Sequence, residues 1–178
     1  MHTAYIGMGG NLPSHAGQPE ATLAAAALRL ESLGRVVRRS SLYSTEPVGF
    51  AAQPRFLNAV LALQTALSPR ELLSALMAIE QEFGRDRSGG IANGPRTLDL
   101  DLLLLGDLVF SEPELELPHP RLAERAFVLV PLGEIAPDAV VPRLKKTVAQ
   151  LLAELRENSA SDSDAVVRVA SDAWAVSY

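Results

Sequence analysis

Phe56-Leu57-Asn58-Ala59-Val60-Leu61-Ala62-Leu63-Gln64-Thr65, followed after two residues by Ser68-Pro69-Arg70-Glu71-Leu72, decides how this chain folds. Strand side chains alternate, so Phe56, Asn58, Val60 and Ala62 share one face while Leu57, Ala59, Leu61 and Leu63 share the other. The helix after it is announced at both ends. Ser68 is a good N-cap, Pro69 takes the first helical position and Glu71 completes a capping box. Leu72, Leu76, Ile79 and Phe83 then recur at helical spacing until Gly84 stops the run.

Working outward from this strand–helix pair, the N-terminal side reads as strand, helix, strand. Thr3 to Met8 alternates as a strand, and Gly9-Gly10-Asn11 turns the chain. Glu20 to Leu33 is rich in Ala and Leu, with Pro19 before it and Gly34 after it, as a helix requires. Val36 to Tyr43 is the second strand, and Ser44 to Arg55 is a loop holding Pro47, Gly49 and Pro54.

On the C-terminal side, Arg85 to Pro95 is a second long loop and Leu98 to Leu105 a buried strand. A Pro-rich stretch with short hairpin strands leads to Pro118-His119-Pro120. Helical turns are expected over Leu122 to Leu132 and a last helix over Lys146 to Glu157. The order strand, helix, strand, strand, helix, strand is the ferredoxin-like pattern. We therefore expect an α+β fold, an antiparallel sheet flanked by helices in a single domain over residues 1–157. Residues 158–178 form a C-terminal extension, read as a Ser/Asp linker and then, over Ala165 to Ser177, either an edge strand or a loose segment.

Composition narrows the function. The 178 residues are 48% hydrophobic and 21% charged, and none is cysteine. That excludes disulfides, thiolate metal sites and cysteine nucleophiles, and suits a reducing compartment. No signal-peptide pattern opens the chain, and no apolar run approaches the roughly 20 residues of a membrane helix. A cytoplasmic protein with no membrane contact is expected. The net charge of −5 argues against nucleic acid as a partner. Yet Arg85, Arg87, Arg96, Arg121 and Arg125 crowd one stretch, as a small polyanion would require, although composition alone favours solvated surface arginines.

The segment Gly94-Pro95-Arg96-Thr97-Leu98-Asp99-Leu100-Asp101 carries the chemistry. In a strand Asp99 and Asp101 emerge on one face, with Leu98, Leu100, Leu102 and Leu104 on the other. Two adjacent carboxylates raise each other's pKa unless a cation lies between them. Magnesium, which takes one or two carboxylates plus phosphates and water, answers that need. A solvated aspartate pair is the plainer alternative. Arg96 has the wrong parity for the aspartates' face, so a bend near Thr97 must bring it to the site. Arg85, Arg87, Arg96 and Arg125 offer forked donors for phosphate oxygens. His119 is constrained by its flanking prolines, and Glu80 is either a sugar-hydroxyl acceptor or a solvated helical carboxylate. Phe56 and Asn58 share a face, a ring and an amide suited to a flat hydrogen-bonding heterocycle, although taken alone they read more simply as a core phenylalanine and a capped asparagine.

Other nucleotide motifs are missing. Gly7-Met8-Gly9-Gly10-Asn11 fails as a dinucleotide fingerprint because Leu12 stands at its last glycine, and no P-loop sequence occurs. A non-catalytic ferredoxin-like ligand sensor and a magnesium-dependent nucleotide hydrolase stand as rival classes. The arginines and paired aspartates count against the first, and the Phe56/Asn58 face with Phe127 counts against the second.

These runs, taken in order, resemble the 6-hydroxymethyl-7,8-dihydropterin pyrophosphokinase family. The likeness runs from Ala4-Tyr5-Ile6-Gly7 to about Glu157. It includes Ser44-Thr45-Glu46-Pro47-Val48-Gly49, Gln53-Pro54-Arg55-Phe56-Leu57-Asn58, Ile79-Glu80, Gly94 to Asp101, Pro118-His119-Pro120 and Arg125-Ala126-Phe127. The resemblance implies a transfer of the β,γ-pyrophosphoryl unit of ATP to the pterin hydroxymethyl oxygen, releasing AMP, in folate biosynthesis. It places Thr45, Val48, Phe56, Asn58 and Phe127 at the pterin, with the two rings sandwiching it. Glu80, Arg85, Arg87, Arg96, His119 and Arg125 would bind ATP, and Asp99 and Asp101 two Mg²⁺ ions. Arg85 and Arg96, with the aspartates, would be catalytic, and a monomer is expected. Ala92-Asn93 stands where some relatives carry a basic residue and a tryptophan, which bears on loop closure.

Overall fold

In the computed structural model, which describes residues 1–159 and 165–175, one six-stranded antiparallel sheet organises the chain. The elements in order are β1 (His2–Gly10), α1 (Pro19–Leu30), β2 (Arg35–Arg39), β3 (Leu42–Thr45), β4 (Phe56–Thr65), α2 (Pro69–Glu82), β5 (Asp99–Leu105), β6 (Phe110–Glu112) and β7 (Leu115–Leu117). Then come α3 (Ala126–Ile135), β8 (Val140–Val141), β9 (Lys146–Thr147), α4 (Val148–Asn158) and β10 (Val166–Val169). The strands lie in the order β10-β3-β4-β1-β5, and β2 extends the β3 position along β4. With β2 and β3 counted as one interrupted strand, this is the ferredoxin-like arrangement.

The strand–helix pair that anchored the sequence reading is present with the expected limits. Ser68 Oγ accepts the Glu71 N–H and the Glu71 carboxylate accepts from the Ser68 N–H, a complete capping box. The chain leaves the helix through Gly84, whose φ of +84° is one that L side chains rarely adopt. β4 divides its two faces as alternation demands. Ala59, Leu61 and Leu63 join a core with α1, α2, Ile6 and Leu72, while Val60 and Ala62 join a second core with Leu129, Leu132 and Val148 from α3 and α4.

Four expectations need correcting. Val36 to Tyr43 is two strands, because Ser40 interrupts the ladder: its Oγ accepts the Val60 N–H at 2.9 Å, and pairing shifts by one residue between Arg39↔Leu61 and Tyr43↔Asn58. Leu104 does not share a face with Leu98, Leu100 and Leu102. A bulge opposite Tyr5 and Ile6 inserts Leu103 as an extra residue, so Leu103 and Leu104 both face α3 and α4. The helical turns expected over Leu122 to Leu132 form a short 3-10 turn, Leu122–Glu124, then α3, because Arg125 between them is extended. The last helix starts at Val148, since Thr147 is its N-cap in a capping box with Gln150, and Lys146–Thr147 pairs with β8 instead. Of the C-terminal extension, 160–164 and 176–178 lie outside the described residues. Val166–Val169 pairs with β3.

Candidate active site

The α3/α4 face of the sheet is covered at one end and open at the other, and the register shows what the open end presents. Directly opposed residues share a face in an antiparallel sheet. One row across it reads Thr45–Phe56, a second Tyr43–Asn58–Gly9–Asp99, and a third Val60–Gly7–Asp101. On β1, therefore, the two positions between the Phe56/Asn58 side and the aspartates are glycines. Their missing side chains leave a bare floor that joins the aromatic end to the acidic end. A Cβ on Gly9 would lie 2.7 Å from Asn58 Oδ1, so the amide leans over that floor.

Above the floor is a cavity of about 500 Å³, a volume suited to a small-molecule ligand. Thr45, Val48, Phe56, Asn58, Arg96, Asp99, Asp101, Arg125 and Phe127 all line it. Asn58 Nδ2 donates to Thr45 Oγ1 at 2.7 Å, which fixes the amide. Arg96 lies over the Phe56 ring, 4.6 Å from its centroid, and Arg125 over the Phe127 ring at 5.4 Å. The parity objection to Arg96 is met by the strand itself, which begins only at Asp99. Its Nε comes within 3.2 Å of Asp99 Oδ2, and Arg85 Nη2 lies 3.9 Å from Asp99 Oδ1.

Two features of this cluster call for an anion and a cation together. The Nε atoms of Arg85 and Arg96 are buried and have no hydrogen-bond acceptor among the described residues; the close approach to Asp99 is not aligned for one. Buried donors without acceptors are costly and call for a partner, which beside a cavity can be an anionic ligand or water. Asp101, beside them, receives no side-chain hydrogen bond among the described residues. Burial, then the neighbouring charge of Asp99, push its carboxyl up to about 6, with Arg125 opposing. The solvated-pair alternative does not describe such a group.

Glu80, Arg85, Arg87 and His119 are not cavity-lining residues. β5 is the sheet edge, and Glu80 and His119 both serve its backbone. Glu80, 1% exposed, accepts the Leu100 N–H at 2.8 Å and holds Arg87 at 2.6 Å, so it is no solvated helical carboxylate. Burial raises its pKa, opposed by those two hydrogen bonds. His119 N donates to Leu103 O, and its Nδ1 accepts the Arg121 N–H, leaving Nε2 open. Burial and the charges of Arg125 and Arg121 lower its pKa.

Several lining residues escaped the sequence reading, among them Gly7, Gly9, Glu124, Ala165 and Val166, while Arg121 was read only as one of the clustered arginines. Asn11, read only as a turn residue, ties three loops together. Its Nδ2 donates to Gln53 Oε1 and Pro54 O, and its Oδ1 accepts the Arg96 N–H. No sequence signal reveals that link; the glycine alternation Gly7-x-Gly9 on a strand did offer one for the floor.

A ferredoxin-like sheet whose open face sets paired carboxylates among buried arginines, beside an aromatic slot, belongs to the class of enzymes that act on a phosphorylated small molecule. Comparison with known proteins narrows the class. Residues 5–137 match the family described as 7,8-dihydro-6-hydroxymethylpterin-pyrophosphokinase (HPPK). A 2-amino-4-hydroxy-6-hydroxymethyldihydropteridine pyrophosphokinase from Synechocystis sp. is 44% identical over 86% of this chain and 76% of its own. One from Pseudomonas aeruginosa is 47% identical over 78% of this chain and 83% of its own. The chain belongs to this family. The crystal structure of wild-type Plasmodium falciparum HPPK-DHPS has the same fold, with a TM-score of 0.72 at 14% identity. The superposition covers 94% of this chain and 44% of that longer one, so this chain spans under half of it.

Proposed function

We propose that this protein transfers pyrophosphate from ATP to the hydroxymethyl group of 6-hydroxymethyl-7,8-dihydropterin, releasing AMP, as a step of folate synthesis. Beyond family membership, the observation that carries the reading is the pair of buried, acceptor-free Nε donors on Arg85 and Arg96 beside the Asp99/Asp101 pair. The hydroxymethyl oxygen forms the new bond to the β-phosphorus, and the bond from that phosphorus to the oxygen of the α-phosphate breaks, leaving AMP. Residues 1–157 carry the catalytic groups, and 158–178 extend that domain, with Ala165 and Val166 at the cavity.

In this reading the pterin lies on the Gly7/Gly9 floor between Phe56 and Phe127, with Asn58 and Thr45 reading its edge and Val48 flanking it. Asn58 keeps one N–H and its Oδ1 for the ligand, since only the other N–H is spent on Thr45. ATP comes over the outer edge of β5, where Arg87, Arg125 and His119 Nε2 face its phosphates and Glu80 orients Arg87. Arg85 and Arg96 exchange their loose contacts with Asp99 for the transferring phosphates. In phosphoryl transfer a positioned arginine is worth about 10³–10⁵ in rate, so electrostatics carries more of the catalysis here than proton transfer.

Asp99 and Asp101 fit the hard-oxygen demand of Mg²⁺ and would hold it, and the bound metal would supply charge neutralisation for the transferring group. Among the described residues no group of three or more His, Cys, Asp or Glu could hold an ion. No helix among the described residues is long and apolar enough to cross a membrane. We place the protein in the cytoplasm as a monomer acting on these two small molecules.

Phosphorus NMR of the protein with magnesium, ATP and the pterin tests the reading. AMP and a pterin diphosphate appearing together, only with both substrates, would establish it. ADP, free phosphate without pterin, or no turnover would overturn it.

A further inference from the structure

The family match ends at residue 137, yet the cavity has a wall that comes from far beyond it. Val166 of β10 pairs with Thr45 of β3, which pairs with Phe56 of β4, so the row carrying the aromatic slot continues to Val166. On β10, Val169 packs on the α1/α2 core, and strand alternation puts Val166 on the opposite, cavity face. Ala165 and Val166 line the cavity with Thr45 and Phe56. Resting on the reading of that cavity as the pterin site, we propose that β10 is part of the substrate pocket, with Val166 as an apolar specificity residue against the heterocycle.

Two latches hold this wall in register. Arg55, next to Phe56, donates to Ser44 Oγ at 2.8 Å, to Ser44 O at 3.2 Å and to Ala165 O at 3.1 Å, and pairs with Glu46. A single guanidinium thus ties the start of β4, the loop after β3 and the entry to β10 together. At the far end Trp174, 6% exposed, donates from Nε1 to Ser40 O at 2.8 Å, with Arg39 over its ring. An edge strand held only by its four residues would fray; held at both ends, it keeps Val166 where a ligand meets it. Arg55 and Trp174 are positioning residues, acting through Val166 and Thr45.

The test titrates 6-hydroxymethyl-7,8-dihydropterin into full-length protein saturated with magnesium and α,β-methylene-ATP, whose methylene bridge blocks the transfer. Val166→Asp sets a charge against the ring and should weaken pterin binding about tenfold or more. Its affinity for the nucleotide analogue should stay within about twofold. Val167→Asp, on the other face of the same strand and half exposed, should leave both affinities unchanged. Trp174→Ala should weaken the pterin alone, whereas a purely structural role would lower both affinities with the melting temperature. Equal pterin affinity in wild type and Val166→Asp, or equal losses in the two aspartate variants, would overturn the proposal. Should Val166→Asp not fold, Val166→Ala replaces it, with about threefold weaker pterin binding expected and no change counting against. Wild-type protein that binds no pterin at all would overturn the reading of the cavity itself, a different outcome from a wall that does not matter.

Discussion

The two faces of the sheet are made from the same strands and have opposite characters. Against α1 and α2, the core positions of β1, β4 and β5 are apolar: Ala4, Ile6 and Met8, then Ala59, Leu61 and Leu63, then Leu100, Leu102 and Leu105. Against α3 and α4 the cover is partial, and beyond it the strands turn from Tyr5 to Gly7 and Gly9, from Val60 to Asn58, and from Leu103 to Asp101 and Asp99. One face spends its length on stability. The other stops packing halfway, and the site begins at the point where side chains stop meeting each other.

Substitutions on the two faces should therefore separate rate from stability. The largest effect is expected for Asp101→Asn, with turnover below about 10⁻⁴ of wild type while pterin binding persists. Near-normal turnover in the NMR assay would remove Asp101 from the metal site. Next is Arg96→Ala, with kcat down about 10³-fold and ATP affinity weakened far less; full rescue by saturating ATP would make it a binding residue only.

On the sealed face, Leu61→Ala should cost about 2–5 kcal/mol in urea unfolding, with kcat per folded molecule unchanged. A matching fall in kcat would show that the faces are not independent. Smaller again is Gly9→Ala, whose Cβ displaces Asn58 Oδ1 and should raise the pterin KM about tenfold while leaving that for ATP alone.

The smallest effect concerns Tyr43, at the seam of the two faces. Burial, then its hydrogen bond to Glu134, pushes the phenol up to about 12. A raised folded-state pKa adds stability that is complete below the unfolded value near 10 and is lost as pH climbs through about 12. The stability gap between wild type and Tyr43→Phe should shrink over that interval by about 1–2 kcal/mol. A gap independent of pH would mean that Tyr43 and Glu134 are not coupled.

Elements whose signals are local were legible. β4 and the Ser68 capping box need only their own residues, and Asp99 and Asp101 share a face because of a period of two. One miss is as local as the Ser68 box, since the Thr147/Gln150 capping box alone sets the start of α4. Others are set by partners distant in sequence. Ser40 breaks a strand because Val60 lies opposite, and Leu104 changes face because β5 has one residue more than β1 across the bulge. The site divides along the same line. Phe56, Asn58 and the arginines announced themselves by residue type, whereas the role of Gly7 and Gly9 exists only once both flanking strands are in register. Asn11 and Val166 are further cases: each is ordinary in its own segment and meets the site only through residues far from it in sequence.

The glycine floor also bears on how this enzyme would yield to an inhibitor and how it would escape one. A flat compound lying on Gly7 and Gly9 touches backbone there, with no side chain to be trimmed or exchanged. The simplest escape at Gly9 is to gain a methyl group, and that methyl meets the Asn58 amide, which in the proposed function reads the pterin. Resistance at that spot would carry a direct handicap in growth, so compounds drawing their affinity from the floor should select resistant strains more slowly than those gripping the rim.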